Sequence, residues 1–200
     1  MSKKLTDEQI RQIASDNGLE FAILKAVVEV EAGGSGFILD EKSKALVPKI
    51  LFEPHVFYRL LGNKKLISIR NDCMAKQPKL CYAKWGAYPY GKTHEQHARL
   101  AIASSFHRET ALESCSWGLG QVMGHHWQTL GYDSLQEFIN AMYQDEMSQI
   151  DCMVRFIKKN GLLPKLQKKD WKGFAKGYNG AGYAKNAYDV KLANAYRKYA

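Results

Sequence analysis

The sequence contains no apolar run long enough to cross a bilayer. Its N-terminus, MSKKLTDEQIRQIASDNG, has basic residues with no apolar core behind them. Together these absences predict synthesis in a cytoplasm without a Sec-type address. The cysteines Cys73, Cys81, Cys115 and Cys152 form no CxxC and no regular framework. Buried thiols in a reducing compartment are expected, with a Cys73–Cys81 disulfide as the open alternative. His94 and His97 lie three apart, and His125 and His126 are adjacent. Neither pair has a companion acidic or cysteine ligand at a familiar spacing, so no metal and no cofactor is expected. No repeat, low-complexity segment or linker divides the chain, and residues 1–200 are expected to form a single globular domain. Acidic residues are also scarce: 20 against 29 basic ones leave a net charge of +9.

That charge favours anionic partners such as nucleic acid, anionic lipid or an acidic polymer, without choosing among them. No nucleic-acid reader motif accompanies it, so no specific nucleic-acid partner is expected. The positive residues recur in Lys42–Lys49, Lys64–Arg70, Lys158–Lys169 and Lys185–Lys198, and a solubilising surface accounts for much of this. A hydrophobic fraction of 46% with 24% charged residues is that of a globular chain with a substantial core.

The stretch FAILKAVVEVEAGGSGF, residues 21–37, is where the chemistry concentrates. Leu24, Val27, Val28 and Glu31 share one face of a helix that the glycines at 33 and 34 should stop. Three of the four are apolar; the fourth is a carboxylate in the last turn. Burial disfavours its charged form, and so does the partial negative charge of the helix C-terminus. No cation stands one turn behind it. Glu31 should therefore have a raised pKa, the state a general acid needs. Glu29, on the other side of the helix, should pair with Lys25 in solvent. The plainer account of Glu31 is a partly exposed carboxylate at a frayed helix end.

Thr6-Asp7-Glu8-Gln9 fits a capping box opening a first helix. After the Glu31 helix, GFILD and KILFE read as the two strands of a small β-hairpin joined by EKSKALVP. In the second run Leu51 and Glu53 point to one side, Ile50 and Phe52 to the other. Residues 55–61 read as a short helix. Residues 63–92 show no periodicity, and Trp85, Tyr88 and Tyr90 among glycines and Pro89 suggest a functional loop whose aromatics stack on sugars or cover the core. A capping box at Thr93 opens a helix to about Leu112. In SCSWGLGQVMG the glycines at 118, 120 and 124 would each weaken a helix by about 1 kcal/mol; a small-residue strip around Gln121 would explain them. A long helical region spans 135–159, a basic connector 162–170, a short helix 171–178, a turn at YNGAG, and a closing helix 189–199.

A helix ending in Glu and small residues, then SWGLGQVM, then YNG, resembles in order the superfamily of goose-type lysozymes and lytic transglycosylases. EVEAGGSGF, KILFEPHVFYRL, SWGLGQVMGHHW, GYDS and FAKGYNGAGYAKNAYDVKLANAY together are similar to the N-acetylmuramidase endolysins of phages of Gram-negative bacteria, over about Leu19 to Tyr199. The resemblance implies a mainly α (α+β), lysozyme-like domain with a small β-hairpin after the catalytic helix and no separate wall-binding domain. It implies hydrolysis of the β-1,4 bond between N-acetylmuramic acid and N-acetylglucosamine, with Glu31 as the catalytic acid and Glu53 as the second carboxylate. Gln121, Tyr178, Asn179, Ser116 and Gly118 would bind substrate. Where Ser commonly follows the family's catalytic Glu, this chain has Ala32, which removes a local hydroxyl but not the acid. The implied partner is the peptidoglycan glycan strand, met by a monomer made in the host cytoplasm and acting in the periplasm. Anionic lipopolysaccharide is a secondary expectation from the basic surface. The competing functions are a lytic transglycosylase forming 1,6-anhydro products, and a non-catalytic peptidoglycan-binding protein.

Overall fold

A computed structural model describes residues 3–32, 34–41 and 43–200, the side chains of Ala32 and Ala181 aside. Gly33, expected to help stop the Glu31 helix, and Lys42, at the head of one basic run, lie outside the described residues. Helix α1 (Asp7–Asp16) is opened by the predicted capping box: Thr6 Oγ1 accepts from Gln9 N at 3.3 Å, and Thr6 N donates to Gln9 Oε1 at 3.0 Å. Helix α2 (Phe21–Ala32) follows, with Leu24 and Val27 fully buried on the predicted face. Strand β1 (Phe37–Leu39) pairs antiparallel with β2 (Leu46–Pro48).

KILFE is therefore not the partner of GFILD. The connector supplies that partner, because Asp40 Oδ1 accepts from Ser43 N at 2.7 Å and Lys44 takes a positive φ of 55°, closing a tight turn. The KILFE run becomes β3 (Ile50–Phe52), the edge of a second, three-stranded antiparallel sheet with β4 (Cys115–Trp117) and β5 (Val122–Met123). Ile50 and Phe52 point into the core, as their alternation predicts.

SWGLGQVM is thus a hairpin and not a helix. Positive φ at Gly118 (65°) and Gln121 (47°) reverses the chain between β4 and β5. A Cβ on Gly118 would also lie 2.6 Å from Gln149 Cδ, so the position needs glycine on both counts.

Helix α3 (Pro54–Asn63) begins directly after Glu53 and has proline in its first turn. Helix α4 (Ile67–Lys76) occupies the first part of the supposedly aperiodic 63–92 stretch; only Cys73 of its ten residues is buried, so its apolar residues mark no face. Helix α5 (Gln96–Glu113) ends where expected and breaks at His107, but the expected capping box at Thr93 does not form: Thr93–Glu95 is a 3-10 turn in which Lys92 N donates to Glu95 Oε2 at 2.7 Å, and the Gln96 side chain turns to Phe52 and Tyr90 instead. The region 135–159 is two helices, α6 (Leu135–Gln144) and α7 (Glu146–Lys159). Asp145 separates them in extended conformation and caps α7 through Ser148 N at 2.8 Å. The basic connector contains the short helix α8 (Leu163–Gln167). Helix α9 (Trp171–Asn179) and the closing α10 (Tyr188–Tyr199) complete the chain, and α10 packs along α2.

One hydrophobic core, drawing on residues from Ile10 to Leu192, joins these elements. Phe52, Phe57, Trp117, Phe138 and Phe174 are its largest buried side chains. Two polar side chains of α7 are buried with it. Glu146 accepts from Leu5 N, Ser35 Oγ and Gly36 N at 2.9–3.1 Å. Gln149 accepts from Leu119 N at 2.9 Å and donates to Met142 O at 2.9 Å and Gly36 O at 3.3 Å. Gln149 thereby ties the chain just beyond the Glu31 helix to the tip of the β4–β5 hairpin. All four cysteines are buried free thiols.

Candidate active site

Glu31 sits in the last turn of α2, a turn that contains no basic residue. Burial raises its pKa above the ordinary glutamate value of 4.5. Two features pull the other way without prevailing: Asn179 Nδ2 donates to Glu31 Oε1 at 2.9 Å, and the Lys191 cation of α10 lies near. Glu29, two residues earlier, shows the opposite behaviour. Its carboxylate accepts from the Tyr199 hydroxyl and from Lys198 Nζ at 2.9 Å, and these partners lower its pKa. The expected Lys25–Glu29 pair does not form. Lys25 bonds to Asp7 at 2.6 Å, because α1 lies beside α2 and offers a carboxylate at that end.

Glu53 stands at the junction of β3 and α3. Its backbone N–H donates to Ser114 O at 2.9 Å, which fixes it to the end of α5. Its side chain, 17% exposed, accepts from the Tyr90 hydroxyl and lies 3.4 Å from His55 Nδ1. Burial and the neighbouring Glu53 carboxylate both push the Tyr90 phenol well above its usual range, so it stays a donor. Gln96, fully buried in the first turn of α5, accepts from Phe52 N at 3.2 Å and donates to Tyr90 O at 2.8 Å. It locks Tyr90 to the strand that carries Glu53.

The β4–β5 hairpin and α9 connect the two carboxylates. Leu51 of β3 is registered with Ser116 of β4. Ser116 Oγ donates to Gln121 Oε1 at 2.9 Å, and Gln121 Nε2 donates to Gly118 O at 2.8 Å and to Lys49 O at 3.4 Å. Gln121 thus braces the turn with both ends of its amide. Tyr178 Oη donates to Gly120 O at 2.9 Å, next to Gln121. Its ring stacks on Phe174 with centroids 5.4 Å apart and meets Phe156 edge-on. Burial first, and then the charge of Glu31, raise the Tyr178 pKa. The next residue is Asn179.

The structure therefore places six of the seven predicted residues on one belt, Glu31 with Asn179 and then Tyr178 with the Ser116–Gly118–Gln121 turn, and joins Glu53 to it only through the backbone, by Ser114 O, while the Glu53 carboxylate bonds Tyr90 instead. Within it Asn179 touches the Glu31 carboxyl directly, whereas Tyr178 reaches the hairpin tip. Sequence reasoning missed Tyr90, His55, Gln96, Gln149 and Lys191. Only Tyr90 carried a signal, as an aromatic beside Pro89 in the long loop; the others act across long sequence separations. Among the described residues no three His, Cys, Asp or Glu side chains are grouped to hold a metal. Burial lowers the pKa of both His125 and His126, that of His126 to about 4. What the belt offers is proton chemistry: one carboxyl inclined to keep its proton, and a second held as an acceptor on another wall.

A family model described as N-acetylmuramidase matches residues 20–200, which include every residue of the belt. The fold is similar to the crystal structure of the Burkholderia AP3 phage endolysin, with a TM-score of 0.88 and 38% identity, over 100% of this chain and 72% of that one. Among curated proteins none matches the chain. In sequence and in fold, the chain belongs to the N-acetylmuramidase family, the peptidoglycan-hydrolysing glycosidases of phage lysis.

Proposed function

We propose that Glu31 is the general acid of this muramidase. Protonated, it donates to the glycosidic oxygen between N-acetylmuramic acid and N-acetylglucosamine as the sugar takes on oxocarbenium character. Glu53 steadies the developing positive charge and orients the attacking water. The Tyr90 hydroxyl and the Gln96 lock hold its carboxylate in place for that task. Asn179 aims the Glu31 carboxyl, and Tyr178 keeps the hairpin tip against the Glu31 wall. Ser116, Gly118 and Gln121 shape the floor over which the glycan strand runs, with Gln121 presenting the remaining lone pair of its carbonyl.

The observation that carries this reading is the Asn179–Glu31 contact on a carboxyl whose pKa burial has raised. It pairs a raised proton affinity with a fixed orientation of the carboxyl. We take a single chain, synthesised in the host cytoplasm and acting in the periplasm, as the working unit, finding its substrate by its own cleft and charge. Lys185, Lys191 and Arg197 are exposed near or on α10 and support attraction to anionic lipopolysaccharide. Lysis of intact Gram-negative cells by added protein at low salt tests that attraction; lysis only after permeabilisation contradicts it.

The test of the reaction is a digest of purified peptidoglycan analysed by mass spectrometry with and without borohydride. Fragments ending in reducible N-acetylmuramic acid are expected, and Glu31→Gln should release none. Fragments one water lighter and inert to borohydride would replace water by the muramic 6-hydroxyl as the attacking group.

A further inference from the structure

Helix α3 carries a stripe of residues for which the proposed reaction gives no task. His55, Tyr58, Arg59, Gly62 and Asn63 stand at positions i, i+3, i+4, i+7 and i+8, so they share one face of the helix. Together with Arg70 of α4, that face lines a cavity of about 480 Å³. The cavity begins beside the site already described. His55 Nδ1 lies 3.4 Å from Glu53 Oε2 and 3.5 Å from the Tyr90 hydroxyl oxygen. Arg59 stands one turn further along α3, away from the Glu53 carboxylate.

Among the described residues no carboxylate lines this cavity, and none pairs with either of its two guanidinium groups. Arg70 lies over the Tyr58 ring, its Cζ 4.5 Å from the centroid. Its Nε is buried and has no hydrogen-bond partner. A Cβ on Gly62 would come within 3.0 Å of Arg70 Nη1, so the bare glycine leaves the guanidinium its room against α3. Stacking on Tyr58 fixes the plane of that group and leaves its N–H edge unspent. Arg59, on the same cavity, is exposed. A buried N–H without a partner calls for one. Two guanidinium forks around one cavity suit an anion with paired oxygens, a carboxylate or a phosphate.

We propose that this cavity is a carboxylate subsite, in which Arg59 and Arg70 hold an acidic group of the peptide stem carried by an N-acetylmuramic acid of the bound strand. The proposal rests on the reading of Glu31 and Glu53 as the carboxyl groups of the cleft. The chemistry of the substrate selects carboxylate over phosphate, since each stem bears carboxylates and the glycan strand carries no phosphate. The stem leaves the sugar sideways through the lactyl group, so its anchor belongs beside the cleft and not in its floor. His55, between Glu53 and Arg59, marks the passage from one to the other.

The test uses soluble, uncrosslinked glycan strands with their stems, before and after amidation of the stem carboxylates. For the full-length wild type, amidation should raise KM about 10-fold with kcat little changed. In Arg59→Gln the KM of untreated strands should rise toward that of amidated ones, and amidation should then add little; Arg70→Gln should behave alike. Arg59 is exposed, so its variant is read without loss of packing. Lys168→Gln/Lys172→Gln removes exposed charge elsewhere and should keep the full wild-type response. Equal KM on the two substrates in wild type, or an undiminished response in Arg59→Gln and Arg70→Gln, overturns the subsite. A response lost equally in the lysine variant also overturns it, by assigning the effect to overall charge. So does a melting temperature raised by inorganic phosphate with no response to amidation, which would give the cavity to a phosphate. Cleavage by Glu31→Gln would instead overturn the reading of Glu31, while the wild-type and Arg59→Gln kinetics would still decide the subsite.

Discussion

The surroundings of Glu31 and Glu53, the two carboxyl groups proposed for the site, which we call its walls, are put together differently. The Glu31 wall is helical: α2 carries the carboxyl, α10 packs along it, and Asn179 arrives from the end of α9. It meets its carboxyl with one neutral donor, Asn179, and the nearby Lys191 cation, and burial prevails over both. The Glu53 wall is made of a strand, a loop and the start of α5, and it meets its carboxylate with the Tyr90 hydroxyl and His55. Burial raises the pKa of Glu31, while Glu53 accepts a hydrogen bond from the Tyr90 hydroxyl. Residue type alone does not set such a division between two glutamates; the partners supplied by each wall do.

The strongest way to break the contrast is to remove the proton. Glu31→Gln should lower kcat on peptidoglycan by about 10²–10⁴-fold, while Glu29→Gln on the same helix should leave it unchanged. The same variant has a stability signature. The raised folded-state pKa of Glu31 means that ionised Glu31 detracts from stability; this cost sets in as pH rises through 4.5 and is complete above the raised value. Glu31→Gln should therefore melt above wild type at pH 7 and lose that advantage in acid.

Next in size is the tie between the end of α2 and the hairpin. Gln149→Ala strands Leu119 N, takes a donor from Met142 O and leaves Gly36 O with only Lys49 N, and should destabilise the fold by about 2–3 kcal/mol in urea unfolding. An equal loss in Gln149→Leu would assign the cost to hydrogen bonding and not to the cavity. On the Glu53 wall, Glu53→Gln should cost about 10²-fold in kcat, and Tyr90→Phe about 10-fold with Glu53 retained. Equal losses in Glu31→Gln and Tyr90→Phe would erase the distinction between the walls.

The smallest effect sharpens the contrast most. Asn179 donates to the charged form of Glu31 and so lowers its pKa. Asn179→Ala should move the alkaline limb of kcat/KM to higher pH even as the maximal rate falls. A limb that moves down would mean that Asn179 does not favour the carboxylate.

The difference between the walls also governs what the sequence discloses. The Glu31 wall follows from local rules: apolar residues at helical spacing, a carboxyl in the last turn, and the Asp170 cap that opens α9 through Gly173 N at 2.8 Å. The Glu53 wall depends on pairings that local rules do not specify. β3 had two possible partners, and the tight turn at Asp40–Lys44 decided against β1. The glycines of SWGLGQVM are compatible with a weakened helix or with a turn; positive φ at Gly118 and Gln121 decides for the turn. Asp145 interrupts a long helical pattern because its side chain gains a cap by leaving it. Helix α4 was illegible because it buries almost none of its surface. Gln96 read as the closing residue of a capping box at Thr93 and Gln149 as an ordinary polar residue, whereas their partners lie as far as 44 and 113 positions away.

The central claim is that burial raises the proton affinity of Glu31 above that of an ordinary glutamate, and side-chain carboxyl ¹³C NMR measures it directly. A single titration of the labelled protein reads Glu31 and Glu29 together. The account predicts that Glu31 titrates above 4.5 and Glu29 below it, with Glu31 moving further up in Asn179→Ala. Titration of Glu31 at or below 4.5 would contradict it.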